Sequence, residues 1–421
     1  MNADFDVIVV GGGASGMIAA GRAAERGKRV LLLEKNKRLG EKLRITGGGR
    51  CNIANAEFDD RALLRHYGKA EQFLYSPFSQ FGVKDTYAFF ESKGLPLVVQ
   101  EKKRVFPQTE RASDVVRVLE EYIRKNKVML QLDTLVREII TDGKRSVLGV
   151  KSSRGEYRAY TMILSSGGFS HPETGSTGDG FDWLGKLGHT VQVPTPTLVP
   201  LAVREQWAKK LSGVALAKAG ITFFVNGKKQ FSKTGEILFT HFGLSGPCVL
   251  NSAAKVSDLL HEGVVTAEID ITPDVDLRKL EAHILDVFER NKNKLLKNML
   301  KEFMPSAVVA PFVEISKNIS EDGKVHSVTK EQRREIAKLM KCLPVTITNL
   351  LGYDRAIVVD GGAVLEEIDT RSMRSKLYDN LYITGDLLHV NRPSGGYSLQ
   401  LCWTTGYVAG SHAGEELRDS H

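Results

Sequence analysis

The stretch DVIVVGGGASGMIAAGRAAERGKRVLLLE (Asp6 to Glu34) decides the fold. After Asp6, the residues Val7 to Val10 are all apolar and β-branched, which is typical of a parallel strand buried on both faces. A glycine turn follows at once, and then a helix of small residues that ends near Gly27. A second predicted strand, Arg29 to Glu34 (RVLLLE), ends in a carboxylate. Strand, glycine turn, helix and strand within about thirty residues predict a βαβ unit.

The glycine turn is typical of proteins that bind dinucleotides. Gly11, Gly13 and Gly16 satisfy the pattern G-x-G-x-x-G. The first glycine permits the tight turn, the second lets the backbone approach a pyrophosphate, and the third lets the helix pack against the strand. The helix begins near Ala14 and Ser15, where free N–H groups and the positive end of the helix dipole suit phosphates. We therefore predict a bound dinucleotide.

The acid at the end of the second strand narrows the identity of this ligand. Glu34 lies 18 residues after Gly16, where a carboxylate accepts hydrogen bonds from the ribose hydroxyls of adenosine. An acidic side chain at this place disfavours the 2′-phosphate of NADP. Lys35 follows directly and belongs to the same predicted binding segment. Because NAD and FAD both fit a βαβ unit of this kind, the unit alone does not separate them.

Two later segments favour FAD. Gly167 and Gly168 follow the apolar run TMILSS and resemble the second glycine motif of flavoproteins of the two-dinucleotide-binding type. Gly385 and Asp386 follow the run LYI and resemble the last motif of those proteins. The acid of that motif accepts a hydrogen bond from a ribityl hydroxyl, a group that NAD lacks. The alternative for Asp386 is a simple helix cap or turn residue.

Five motifs resemble those of a known family. They are KLRITGGGRCNIAN (Lys42 to Asn55), SSGGFS, TGSTGDG, FTHFGLSGP and GDLLHVNRPSGGYSLQ. Together they resemble the YhiN/BaiN-like family of bacterial FAD-dependent flavoproteins, which have been labelled NAD(FAD)-utilising dehydrogenases. The resemblance covers essentially the whole chain. It implies an α/β fold in which a discontinuous Rossmann-like FAD-binding domain carries an inserted β-barrel-like domain and a helical subdomain.

The pattern of the chain divides it into matching regions. Residues 1–190 and 345–421 are predicted to form the FAD-binding domain. Residues 191–275 read as short β segments, with Asn226 and Gly227 as a hairpin turn, and a strand near 345 is a candidate to complete them. Residues 276–344 carry the apolar periodicity of one or two long helices and of another near the end, and are predicted to form a helical subdomain.

The resemblance also assigns cofactor-binding residues. The loop TGGGRCN is implied to wrap the pyrophosphate and reach toward the isoalloxazine, and three glycines in a row let a backbone run against a flat ring without Cβ clashes. The glycines before the last helix are implied to offer N–H donors to the N1–C2=O edge of the flavin, where the helix N-terminus stabilises negative charge. The residues so implied are Lys42, Thr46, Gly47, Gly48, Gly49, Arg50, Cys51, Asn52, Gly395, Gly396, Tyr397 and Ser398.

The catalytic residue stays open at this level. Cys51 is either an activated thiol or a small packing residue, and the lack of a C-x-x-C pair in the sequence favours packing. His241 and His389 are candidate proton donors, with a structural hydrogen-bonded role as the alternative, and Tyr397 is a further candidate. His389 and Ser398 stand where many family members carry an acid and an asparagine. These two differences leave FAD binding as expected for the family, but they put a substrate shared with the family in doubt.

Composition and charge bear on partners and location. The chain has 421 residues and a formal net charge of +8, which fits a phosphate-bearing cofactor, plain solubility or a nucleic acid. Lys294, Lys297 and Lys301 are predicted to share a helical face that meets either RNA phosphates or solvent. Four scattered cysteines, no signal peptide and no long apolar run predict a cytoplasmic protein off the membrane. No metal site is predicted, and the sequence does not indicate the oligomeric state.

These observations predict an FAD-dependent oxidoreductase that transfers hydride between a reduced donor and a small organic substrate. An enone or activated alkene is the candidate substrate class, by analogy with a family member linked to bile-acid reduction. The sequence has no second strand–GxGxxG–helix unit, so NADH or NADPH binds transiently or another donor supplies the electrons. Two alternatives are a flavoprotein acting on RNA, as tRNA-modifying flavoenzymes do, and a flavin-binding regulator without turnover.

Overall fold

A computed structural model describes residues 3–196, 198–316, 318–320, 322–352 and 359–415. Its strands, β1 to β18 in chain order, are Phe5–Val10, Val30–Leu33, Ala54–Asn55, Leu97–Gln100, Arg104–Pro107, Met129–Gln131, Val136–Thr141, Val147–Ser152, Gly155–Leu164, Val191–Pro196, Leu201–Val203, Ala215–Val225, Lys228–Thr240, Gly243–Ser245, Val265–Asp270, Leu343–Leu350, Val359–Ala363 and Leu381–Ile383. Its α-helices, α1 to α15, are Ala14–Glu25, Glu41–Ile45, Asp60–Leu64, Glu71–Gln80, Val83–Ser92, Ala112–Lys125, Asp179–Lys186, Gln206–Lys210, Pro247–Leu250, Ala253–Glu262, Leu277–Arg290, Leu296–Leu300, Ser306–Ser316, Lys330–Lys341 and Tyr397–His412. Backbone contacts group these elements into two compact units, one from both ends of the chain (up to Pro196 and from Ile357) and one from its middle (Thr197–Ala356).

The first unit is built on a largely parallel sheet with the strand order β6-β2-β1-β9-β8-β7, to which β18 is added beside β9. The central strand β1 pairs in parallel with β2 and β9, so that Val9 lies between Leu32 and Ile163. All three of these side chains are fully buried. The predicted βαβ unit and the Rossmann-like α/β fold of this part of the chain are confirmed.

The parallel strands bring separate motifs to one edge of the sheet. Because β1, β2, β9 and β18 run the same way, the residues that follow their carboxyl ends lie at the same edge. Those residues are Gly11, Glu34, Ser165 and Thr384. In open α/β sheets, ligands bind in the crevice outside these carboxyl ends.

The last helix, α15, packs closely against α1. A Cβ on Gly406 would lie 2.4 Å from the Ser15 carbonyl oxygen, and a Cβ on Gly410 would lie 2.4 Å from that of Ala19. Glycine at both positions therefore lets the two helix backbones approach without a side chain between them. These contacts place Gly406 beside the amino end of α1, so the first turns of α15, from Tyr397 onward, extend beyond that end.

In the second unit, six described strands close into a barrel in the order β11-β14-β13-β12-β15-β16. Asn226 and Gly227 join β12 to β13 with φ values of 49° and 79°, so the predicted hairpin turn is present. Helices α11 to α14 lie between β15 and β16 along the chain. Val191–Pro196, which the sequence grouped with the β-rich region, instead pairs with Val359–Ala363 in the first unit.

The lysine stripe predicted at 294–301 does not form as a single helical face. Helix α11 ends at Arg290, and α12 begins only at Leu296. Lys294 lies in the turn between them, Lys301 is the C-cap residue that follows α12, and Lys297 pairs with Asp322 at 2.7 Å. Over the part of the chain described here, every helix is too short or too polar to cross a bilayer.

Candidate cofactor site

The three motif glycines of the first turn are required for different reasons. Gly11 has a φ of +104°, and a Cβ there would lie 2.5 Å from the Ser165 carbonyl oxygen. A Cβ on Gly16 would lie 1.8 Å from the Gly11 oxygen. Around Gly13, by contrast, a Cβ would meet no atom within 4 Å beyond its neighbours along the chain. The protein's own packing requires two of the glycines, and the free space at the third fits a pyrophosphate at the start of α1.

Glu34 is held by the backbone around it. It is 8% exposed; one carboxylate oxygen accepts the Gly12 N–H at 2.6 Å and the other accepts the Asn36 N–H at 2.8 Å. Burial raises the pKa of Glu34, while these N–H groups act in the opposite direction. Each oxygen retains acceptor capacity for a ribose hydroxyl. The neighbouring Lys35 pairs instead with Asp179 at the start of α7, at 2.7 Å.

The loop TGGGRCN is a run of left-handed backbone. Gly47, Gly48 and Gly49 have φ values of 63°, 68° and 83°, and Cys51 has 63°. The loop closes on itself because the Cys51 N–H donates to the Thr46 carbonyl at 2.9 Å. Only glycine adopts such a run without strain, so the triplet shapes this loop for a close approach.

Two side chains of this loop, those of Arg50 and Cys51, differ in their surroundings. The Arg50 guanidinium lies 4.6 Å from the centre of the Phe106 ring and 3.5 Å from the Glu110 carboxylate, and its side chain is 40% exposed. Cys51 is fully buried, and burial raises the pKa of its thiol far above the ordinary range. The thiol is therefore protonated at neutral pH, which is the state of an inert packing residue.

The TGGGRCN segment and the start of α15 are in direct contact. With its amide oriented to satisfy its neighbours, Asn52 accepts the Gly396 N–H at 3.0 Å. Asn55 donates to the Gly395 carbonyl at 3.1 Å. A Cβ on Gly396 would lie 2.2 Å from the Ala54 carbonyl group. Two motifs separated by more than three hundred residues thus form one surface at the N-terminus of α15.

The second glycine motif and the last motif also meet. A Cβ on Gly168 would lie 3.3 Å from Cβ of Asp386, and Gly167 has a φ of +77°. Lys42 lies between these segments, with Nζ 3.2 Å from Asp386 Oδ2 and 3.2 Å from Ser170 Oγ. The expected cofactor residues of three separate segments are therefore neighbours.

Arg392 is a site residue to which the sequence assigned no role. It is 3% exposed and donates to Asp386 Oδ1, to the Val390 carbonyl at 2.6 Å and to Ser398 Oγ at 3.1 Å. Burial acts to raise the pKa of Asp386, but the charges of Lys42 and Arg392 outweigh it and hold that pKa below its usual range. The available signal was an arginine placed between the TGD and GGYSLQ motifs.

The candidate catalytic residues lie in different surroundings. His389 Nε2 is 3.3 Å from Asp360 Oδ1, and the histidine side chain is 38% exposed. Tyr397 is 7% exposed, its ring packs edge-on against Tyr67, and burial raises its pKa. His241 belongs to the second unit, where its ring packs against its neighbour Phe242.

Comparison with known proteins gives a full-length match. The family described as HI0933-like protein Rossmann domain matches residues 5–412. A 3-dehydro-bile acid delta(4,6)-reductase of Clostridium scindens is 29% identical over 410 residues, which are 97% of this chain and 98% of the relative. A ribosomal RNA dihydrouridine synthase of Haemophilus influenzae is 28% identical over 407 residues, 95% and 96% of the two chains.

Solved structures share the fold. The 3-ketosteroid delta1-dehydrogenase from Sterolibacterium denitrificans, in complex with 1,4-androstadiene-3,17-dione, superposes with a TM-score of 0.55 at 15% identity. The superposition covers 98% of this chain and 99% of that one. At this level of identity the likeness concerns the fold alone.

Proposed function

Since this chain belongs to the HI0933-like family and is an FAD-dependent oxidoreductase, we propose that it reduces a carbon–carbon double bond conjugated with a carbonyl group. The observation that carries the proposal is the full-length relationship to a protein named as a 3-dehydro-bile acid delta(4,6)-reductase. A ketone at position 3 is conjugated with a double bond that begins at position 4, and this arrangement is an enone. We infer a small organic enone as the substrate class.

The first unit supports FAD as the resident cofactor. We propose that Gly13 and the start of α1 meet its pyrophosphate, that Glu34 meets the adenosine ribose, and that the start of α15 meets the flavin ring. When bound, FAD supplies the transfer of a hydride equivalent, chemistry that side chains lack. The chain's own part is to bind and orient the two reactants and to deliver a proton.

His389 is the proposed source of that proton. Reduction of an enone places a hydride on the β-carbon and a proton on the α-carbon, so an acid must stand near the reacting bond. Asp360 Oδ1 lies 3.3 Å from Nε2, and partial exposure of the ring allows its proton to be replaced from solvent. Tyr397 is the alternative donor, because burial raises its pKa and keeps the hydroxyl protonated.

The proposed electron donor is NADH or NADPH, bound only during reduction of the flavin. The sequence contains a single G-x-G-x-x-G unit with its strand and helix, and FAD is expected to occupy it. Anaerobic stopped-flow mixing of the holoenzyme with each nucleotide tests this, since loss of the oxidised flavin band reports electron transfer. Bleaching by dithionite but by neither nucleotide would point to a different donor.

The reaction itself is tested by reoxidation. The dithionite-reduced holoenzyme is mixed without oxygen with 3-oxo-Δ4 steroids and bile acids, and in parallel with the corresponding saturated ketones. We expect the enones to restore the oxidised flavin and the saturated ketones to leave it reduced. Reoxidation by no enone would overturn the proposal. His389→Gln should slow reoxidation by about 100-fold or more while Tyr397→Phe retains it, and the reverse result would assign the proton to Tyr397.

Reduction of uridine in RNA is a second candidate function. The relative from Haemophilus influenzae is named a ribosomal RNA dihydrouridine synthase, and the C5=C6 bond of uracil is likewise conjugated with a carbonyl. The net charge of +8 suits a polyanion. An unmodified ribosomal RNA transcript incubated with reduced holoenzyme would then gain two hydrogens per modified uridine, as measured by mass spectrometry of a nuclease digest. RNA turnover without enone turnover would favour this function over the first.

A further inference from the structure

One partly buried ionic cluster links three segments of the candidate site. It consists of Lys42 from α2, Asp386 after β18, and Arg392 from the loop before α15. We propose that Arg392 is a positioning residue that ties the first turn of α15 to Asp386 and leaves a net positive charge beside it, which favours the reduced, anionic flavin. The inference rests on the proposed binding of the flavin ring at the start of α15.

The hydrogen bonds of Arg392 fix the loop between the two motifs. Its Nη2 donates to Asp386, its Nη1 to the Val390 carbonyl at 2.6 Å, and its Nε to Ser398 Oγ at 3.1 Å. Ser398 is in the first turn of α15, and the side chain of Arg392 is 2% exposed. A planar guanidinium makes these three contacts at once, whereas the single ammonium of a lysine does not reproduce that fork.

The charges of the cluster do not cancel. One carboxylate faces two cations, because Lys42 Nζ is 3.2 Å from Asp386 Oδ2 and Arg392 holds Oδ1. The low pKa of Asp386 keeps it ionised at neutral pH. Cys402, a titratable group that all three of these charges influence, is neutral, because burial raises its pKa to about 12. One net positive charge is therefore left in a partly buried place, where solvent screens it weakly.

The start of α15 adds to this charge. The first turn of a helix carries a partial positive charge from its free N–H groups, and α15 is sixteen residues long. Charge that develops on a bound ring is stabilised best by groups that are already oriented toward it. Arg392 contributes in two ways, since it carries charge and also fixes the turn that presents those N–H groups.

Three substitutions separate charge from structure. Arg392→Met and Lys42→Met each reduce the net charge of the cluster to zero, whereas Asp386→Asn raises it to two positive charges. We expect the midpoint potential of bound FAD, measured by equilibration with reference dyes, to shift to more negative values in the first two variants. It should shift to more positive values in Asp386→Asn. A purely structural role would lower FAD retention in all three without this reversal of sign.

Further variants control for charge and shape. Arg392→Lys keeps the charge and loses the fork, so we expect a potential near that of the wild type and about tenfold weaker FAD retention. Arg26→Met removes an exposed cation at the far end of α1 and should leave the potential unchanged. If Arg392→Met does not fold, Lys42→Met and Asp386→Asn still test whether the midpoint potential shifts in opposite directions.

Equal potentials in the neutral and doubly charged variants, or shifts of the same sign, would overturn the inference. The measurement needs no substrate, so it is independent of enone reduction. A wild-type chain that retains no FAD would contradict the proposed function instead. Normal enone turnover with an unchanged potential in Arg392→Met would contradict this inference alone.

Discussion

The glycine turn after β1 and the ionic cluster before α15 serve the same proposed cofactor but are built differently. The turn is made of backbone, and its sterics require glycine at Gly11 and Gly16. The cluster is made of side chains, and its shape depends on which charges Lys42, Asp386 and Arg392 present to one another. A site made of backbone depends on volume and conformation, whereas a site made of charges depends on the identity of each partner.

The largest effect is expected where the backbone leaves no room. Gly16→Ala would place a Cβ 1.8 Å from the Gly11 carbonyl oxygen, so α1 must move away from β1. We expect a loss of about 3 kcal/mol in the free energy of unfolding, near the upper end for overpacking. Urea unfolding followed by circular dichroism measures it.

Gly185→Ala in α7 is the matched control. Its Cβ would meet no atom within 4 Å, and the change should be neutral or stabilising by up to about 1 kcal/mol through helix propensity. Equal destabilisation by Gly16→Ala and Gly185→Ala would show that the contact with Gly11 is not what requires glycine.

A substitution at Gly13 tests whether glycine is required there by the bound ligand or by the packing of the protein. A Cβ added at Gly13 would meet no atom within 4 Å beyond its neighbours along the chain. The φ of −84° at this position is one that any residue adopts. Gly13→Ala should therefore leave the unfolding of the FAD-free protein unchanged and weaken FAD binding by about tenfold or more, because the methyl group enters space proposed for the pyrophosphate. Fluorescence titration with FAD measures this. Undiminished affinity would place the pyrophosphate elsewhere.

This contrast explains what the sequence predicts well. The glycine spacing, the flanking apolar runs and Glu34 are local, and steric rules act over a few residues, so the βαβ unit is readable directly. The hairpin at Asn226–Gly227 is readable for the same reason. The preference for FAD over NAD depends on motifs that are far apart along the chain. Parallel strand pairing brings these motifs to one edge of the sheet.

The parts that the sequence does not predict depend on long-range partners. Arg392 gains its role from Asp386 and from Ser398, and nothing in its local pattern marks it as buried. Arg50 belongs to the loop expected to wrap the pyrophosphate and reach toward the isoalloxazine, and the structure provides it with Phe106 and Glu110 as partners. A long charged side chain can pair with any of several groups. Tertiary packing determines which of these groups lies within its reach.

Low pH should weaken structure that depends on titratable side chains more than structure that depends on backbone packing. A second cluster of side chains in the first unit illustrates this. The buried His189 ring lies between Glu367, 2.8 Å from Nδ1, and Ser375, 2.9 Å from Nε2. Burial lowers the pKa of His189 below 6.5, despite the opposing effect of Glu367. The unfolded chain then binds the proton more readily, so this stability is present above pH 6.5 and is lost as the pH falls through the folded-state pKa.

His189→Gln should make the dependence of unfolding free energy on pH shallower between pH 7 and 5. Glutamine retains a donor and an acceptor for the two neighbours, but it does not titrate. The pKa of Glu367 is also lowered, through hydrogen bonds that outweigh its burial, and its contribution is lost only at more acidic pH. Urea titrations at pH steps measure the slope. An unchanged slope in the variant would remove His189 as its cause.

The smallest effect is expected at Cys51, which lies in the backbone-built half of the site. Its thiol is fully buried and protonated at neutral pH. Cys51→Ala should change flavin reduction and reoxidation by less than about twofold and lower stability by about 1 kcal/mol through the lost sulfur contacts. Stopped-flow kinetics and urea unfolding measure the two quantities.

Cys51→Gly adds a test of the backbone. The φ of 63° at this position is strained for any side chain, so glycine should recover part of the stability lost in Cys51→Ala. A 100-fold loss of rate in both variants, with FAD still bound, would make the thiol a catalytic group. Recovery of stability without loss of rate would show that the position serves the shape of the loop, as the glycines beside it do.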